Sequence, residues 1–179
     1  MVAHFFITVG WIGQPGYMDW TQLRSLHESG HRIGAHGWTH TLLTRCTPVQ
    51  LQKELGGARQ ALEDKLGSAV TCMSLPGGRY NRRVLAACQA AGYTEIFTSI
   101  PRAELQPHRL LTGRVNIRAG MPLPAIEQLL KPGSAALTKM ERVYQLKEAA
   151  KSLLGDCLYA RLWALVNSQE PDAEPGTAS

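Results

Sequence analysis

The 179-residue chain has only four cysteines, Cys46, Cys72, Cys88 and Cys157, and no two of them form a Cys-x-x-Cys pair. That spacing excludes a zinc ribbon and favours reduced, buried thiols over a disulfide scaffold. No uninterrupted apolar run of about 18 residues occurs, so no membrane span is expected. Residues 1–10 lack a basic opening segment and are too short for a secretory signal. The expected location is therefore cytoplasmic, with the position of the true N-terminus left open. Lys and Arg outnumber Asp and Glu by 19 to 14, but they are scattered and no aromatic-basic motif accompanies them. Nucleic acid is accordingly not an expected partner. No two aspartates adjoin anywhere in the chain. What is present is apolar residues, 44% of the total, in a length that suits one domain with a proper core.

The apolar pattern comes in short pieces. His4 to Val9 reads as a strand, apolar on both faces, of the kind found inside a sheet. Trp11 to Gly16 turns, and Asp19 caps a helix to about Ser29, with Leu23 and Leu26 facing inward. His31 to Ala35 is a second strand. Thr47, Pro48 and Gln50 form a helix start, with Thr47 as cap and Gln50 closing a capping box. The helix is expected to run to about Leu66, burying Leu51, Leu55, Ala58 and Leu62. Val70 to Leu75 is a third strand, broken by Pro76-Gly77-Gly78, and Asn81 caps a helix ending at Gly92. Thr94 to Thr98 is a fourth strand. Ser99 to Leu110 reads as loop, Leu111 to Ile117 as a fifth strand, and Leu123 to Leu130 as a short helix. A long helix from Thr138 to about Val166, bent near Gly155, precedes a tail from Ser168 with nothing to bury.

This alternation is the rhythm of βαβ units and a parallel sheet or barrel, whose ligands gather at the C-terminal strand ends. Two unusual clusters, His36–His40 and Pro76–Tyr80, both directly follow strands. On a helical turn, His36 and His40 would project from one face about 5–6 Å apart at Cβ, which suits two ligands of one zinc ion. Spacing alone leaves open two surface or capping histidines. Trp38 and Tyr80 are open between stacking on a sugar and packing beside the loops. Asp19 is read as a cap rather than a ligand, and His31 as a backbone contact at the strand start.

Together these residues resemble the polysaccharide deacetylases (carbohydrate esterase family 4, the NodB-like homology domain). Gly30-His31-Arg32-Ile33-Gly34-Ala35-His36-Gly37-Trp38-Thr39-His40 is similar to that family's second motif, and His4-Phe5-Phe6-Ile7 to the strand preceding it. Met73 to Asn81 resembles the third motif, and Ala90-Ala91-Gly92-Tyr93 the segment one helix later. The likeness thins beyond Ser99. It implies a deformed parallel (β/α) barrel, lacking its first strand and ending in a long C-terminal helix. It also implies a metal-dependent hydrolase that removes N-acetyl groups from an oligo- or polysaccharide. His36 and His40 would bind a divalent metal, zinc first among the candidates. Gly77 would offer its backbone N–H to the oxyanion, and Arg79 could orient an acidic group. Trp38, Pro76, Gly78 and Tyr80 would contact substrate.

Three departures bear on activity. The family's Thr-Phe-Asp-Asp-Gly motif, which supplies the catalytic base and a third ligand, is absent. Ser74 stands where the third motif often opens with Arg, and His108 is a poor match for the family's late His. The expectation is therefore an impaired enzyme, with a catalytically inactive carbohydrate-binding or vestigial domain as the alternative. The expected divisions are residues 1–135 for the partial deacetylase domain, 136–167 for a helical extension and 168–179 for a disordered tail. With the first strand missing, Phe5 and Phe6 would sit on an exposed edge, a place for self-association.

Overall fold

The computed structural model describes residues 2–102, 110–131, 133–147 and 149–150. Strands β1 (His4–Ile7), β2 (Arg32–Ala35), β3 (Cys72–Ser74), β4 (Glu95–Phe97) and β5 (Leu111–Thr112) form one sheet. Their spatial order equals their chain order, and every neighbouring pair is parallel. Such stepwise winding is what repeated βα units produce. The sheet curls: Phe6 of β1 lies 4.9 Å from Phe97 of β4, ring centre to ring centre, although two strands separate them. The α/β architecture expected from the sequence is thus present, with a barrel-like curvature.

Strand alternation divides the residues between two layers. Phe6, Ser74 and Phe97 face the concave side, while Ile33, Ala35, Met73, Leu75 and Ile96 face the helices and are buried. Helix α1 (Trp20–Glu28) starts at Asp19, whose carboxylate accepts from Gln22 N at 2.8 Å, and Gln22 returns the bond. Helix α2 (Pro48–Gln52) starts at the expected Thr47–Gln50 capping box. The expected single helix to Leu66 is interrupted by a π turn, Lys53–Gly57, before α3 (Ala58–Leu66) resumes. Its inward residues Leu51, Leu55, Ala58 and Leu62 are all buried. Helix α4 (Arg82–Ala90) is capped by Asn81, and α5 is Leu123–Leu130.

Strands β1 and β3 are shorter than the expected His4–Val9 and Val70–Leu75, and two later boundaries shift as well. Strand β5 ends at Thr112 rather than Ile117, because Arg114 N turns back to donate to Ile100 O at 2.9 Å. The last described helix begins at residue 135 rather than Thr138, since Ser134 Oγ accepts from Leu137 N and caps it. Arg102 ties this helix to the sheet's end through Glu141. The bend near Gly155, the tail and His108 lie outside the described residues. No helix among the described residues is long and apolar enough to cross a membrane.

Candidate active site

Both loops singled out in the sequence meet at the C-terminal ends of β2 and β3. His36 leaves β2 with Nδ1 2.6 Å from Ser74 O, so the ring donates from Nδ1 and keeps its Nε2 lone pair. Burial pushes the His36 pKa below its ordinary value, against the opposing pull of the Ser74 carbonyl. A neutral imidazole with one nitrogen fixed and the other available is the form a metal ligand takes. His40 lies alongside, ring centres 4.8 Å apart in an edge-to-face arrangement.

The pair does not sit on a helical turn. The segment bends instead, with Gly37 at φ +82° and His40 at φ +64°. His40 is the only non-glycine residue with positive φ among the described residues. Convergence of the two rings thus comes from a left-handed backbone, not from helical periodicity.

Leu75–Gly78 forms a tight turn after β3, closed by Gly78 N donating to Leu75 O at 2.8 Å, with Gly77 in the left-handed region. Gly77 is exposed at φ +63°, whereas Pro76 and Gly78 are buried. Tyr80 packs against the core, and Arg79 is half-buried. Trp38 packs against the core as well, and the Lys53 ammonium lies 5.6 Å over its ring. Of the predicted site residues, His40 and Gly77 are exposed, His36, Trp38, Arg79 and Tyr80 are half-buried, and Pro76 and Gly78 are buried.

Three further residues contribute to the site. Trp11 stands 5.0 Å from His40 and 5.1 Å from Tyr17, ring centre to ring centre. Trp11 and Tyr17, together with Phe6, Thr8, Met18 and His36, line an apolar cavity of about 230 Å³. Arg114 lies 5.8 Å over the Phe6 ring and within electrostatic reach of His36. Glu54 is 4% exposed and bonds the backbone between the histidines. Its signal was present in the sequence: an acid on the same helical face as Leu51 and Ala58.

The donor set fits two positions of a divalent-ion site. Two imidazoles this close can share one ion at about 2.0–2.1 Å per nitrogen. The Ser74 hydroxyl, on the residue whose carbonyl holds His36, is buried without a hydrogen-bond partner among the described residues. No group of three or more His, Cys, Asp or Glu able to hold a metal occurs among the described residues.

The family model for polysaccharide deacetylase matches residues 1–96. The chain belongs to the polysaccharide deacetylase family. YxkH of Bacillus subtilis is 28% identical over 122 residues, which is 68% of this chain and 44% of that protein. Chitin deacetylase 1 of Cryptococcus neoformans is 32% identical over 74 residues, 41% of this chain and 16% of the relative. The chain therefore spans less than half the length of these curated relatives. Among solved structures, the Streptococcus pyogenes deacetylase PplD in complex with acetate aligns with a TM-score of 0.68 at 20% identity, over 73% of this chain and 59% of PplD. The Bacillus cereus polysaccharide deacetylase BC0361 aligns at 0.66 and 21%, over 73% of this chain and 42% of that one. These structural likenesses establish the deacetylase fold.

Proposed function

We propose that this deacetylase-family chain carries the histidine and oxyanion half of a metal-dependent N-deacetylase site for an N-acetylated glycan. The observation that carries the reading is the convergence of His36 and His40 beside the Pro76–Gly78 turn, with His36 Nδ1 committed to Ser74 O. The two histidines would hold a divalent ion, zinc first, though imidazole ligation suits nickel, cobalt and iron as well. When bound, such an ion polarises the acyl carbonyl and activates a water.

The chain's own residues supply three further elements. The Ser74 carbonyl fixes the His36 tautomer and ring orientation. Exposed Gly77 would present its N–H to the oxyanion, a role that asks nothing of a side chain. The apolar cavity beside His36 suits the acyl methyl or the apolar face of a sugar. Trp38, Pro76, Gly78 and Tyr80 shape the loops rather than reaching out from them, and Arg79 remains a candidate for orienting an acid.

The 179 residues contain no Asp-Asp pair to act as base and third ligand. Missing a general base alone costs about 10²–10⁴ in rate. These residues by themselves should therefore bind metal weakly and turn over negligibly. The same observation favours a second reading, a domain that binds carbohydrate without hydrolysing it. Acetate release from N-acetylglucosamine oligomers, followed beside NMR shift mapping with the same oligomers, separates the two. Shifts at Trp11 and Gly77 without acetate support the binding reading. Measurable zinc-dependent acetate release overturns the proposed impairment.

A further inference from the structure

The loop from His36 to His40 is held in an unfavourable backbone conformation. Left-handed φ at a non-glycine residue such as His40 is sterically costly and persists only where the surroundings over-determine it. On one side the surroundings are the turn after β1, where Val9 N donates to Gly37 O at 3.1 Å and Gly10 N to Trp38 O at 2.8 Å. On the other side stands a single side chain, Glu54. Its Oε2 accepts from Trp38 N at 2.7 Å and from Thr39 N at 3.0 Å, and its Oε1 accepts from Thr39 Oγ1 at 2.6 Å.

Glu54 is buried among apolar residues, so its carboxylate is justified only by what it bonds. All three donors belong to the two residues immediately before His40. The approach is close enough that a Cβ on Gly37 would lie 2.9 Å from Glu54 Oε2. The acid stems from the π turn Lys53–Gly57, the kind of helix irregularity that often marks a functional position.

We propose that Glu54 is a positioning residue whose carboxylate clamps Trp38 and Thr39 so that His40 meets His36 as a ligand pair. The inference rests on reading that pair as divalent-ion ligands. Glu54 itself is placed to bond the loop rather than to join the ion.

The test measures two things on the intact chain. One is cobalt affinity, from visible spectra and calorimetry. The other is the chemical shift and hydrogen exchange of the Trp38 and Thr39 amides in metal-free protein. Glu54→Ala should weaken cobalt binding about tenfold or more, in the 10–100-fold range usual for outer-shell partners, and both amides should move upfield and exchange faster. Glu54→Gln keeps a carbonyl for the two amides and an NH₂ that can donate to Thr39 Oγ1, so it should restore most of the affinity.

Tyr93→Phe serves as a control, because it removes a buried bond to Leu55 O next to Glu54 without touching the loop. It should lower stability while leaving affinity within about twofold. If Glu54→Ala does not fold, Thr39→Val carries the test, with an expected loss of about twofold to tenfold, the worth of one hydrogen bond. Cobalt binding unchanged in Glu54→Ala, with unmoved amides, overturns the proposal. So does a loss in Tyr93→Phe as large as that in Glu54→Ala. Wild-type protein that binds no cobalt overturns the ion-site reading instead. The amides then decide the clamp alone: shifted in Glu54→Ala they uphold it, unmoved they refute it.

Discussion

The two adjacent glycines of the Pro76–Gly78 turn should respond very differently to alanine, and the structure says by how much. Both have left-handed backbones, φ +63° at Gly77 and +66° at Gly78. An alanine pays about 1–2 kcal/mol for that conformation at either position. Beyond that the surroundings differ. At Gly77 the new methyl would meet only the end of the Leu42 side chain, at 2.8 Å, and that end can swing away. At Gly78 it would overlap Ser99 Oγ and Cβ and lie 2.6 Å from the Ser99 backbone nitrogen, which cannot yield without moving the chain after β4. Forced overpacking of this kind adds about 1–3 kcal/mol. Gly77→Ala should therefore cost about 1–2 kcal/mol, and Gly78→Ala about 2–5 kcal/mol in all.

Urea denaturation followed by circular dichroism measures both values. Adding Ser99→Gly to Gly78→Ala should recover part of the overlap cost and none of the backbone cost. Equal destabilisation by the two alanines would refute the reasoning, because it would mean that Ser99 does not abut Gly78.

Two further outcomes are expected. Burial raises the Cys88 thiol to a pKa of about 12 from its ordinary value of 9.0, so the unfolded chain loses this proton first as pH rises. Its contribution is complete below pH 9 and is lost between there and about 12, at about 1.4 kcal/mol per unit; Cys88→Ala should flatten the fall in urea midpoint above pH 9, and an unchanged slope counts against it. Strand β1 ends the described sheet, with Phe5 and Phe6 only half-buried, so concentration-dependent self-association through this edge is expected. Size-exclusion chromatography showing a clean monomer at high concentration would contradict that.

What could be read in the sequence was largely what is local. The caps at Asp19, Thr47 and Asn81 were legible because a cap bonds residues within one turn of itself. The inward stripe Leu51, Leu55, Ala58, Leu62 is legible because its helical i, i+4, i+7 spacing carries through the π turn. The His36–His40 convergence was anticipated for the wrong geometric reason. Helical spacing suggests it, but the left-handed His40 backbone produces it, held by Glu54, which lies 16 positions beyond Trp38 and 15 beyond Thr39 in the chain. Likewise, nothing local announced that Phe6 would reach Phe97, since that contact depends on the curl of the whole sheet. Trp11 looked like part of a turn, and only the folded chain brings it against His40.

The two imidazoles are the centre of the proposed site. Zinc titration of the wild-type chain beside His36→Ala and His40→Ala, with acetate release assayed in parallel, tests it most directly. Weak zinc binding that either substitution abolishes, with negligible acetate release, is the predicted result. Submicromolar zinc binding with measurable acetate release, or binding indifferent to both substitutions, would contradict it.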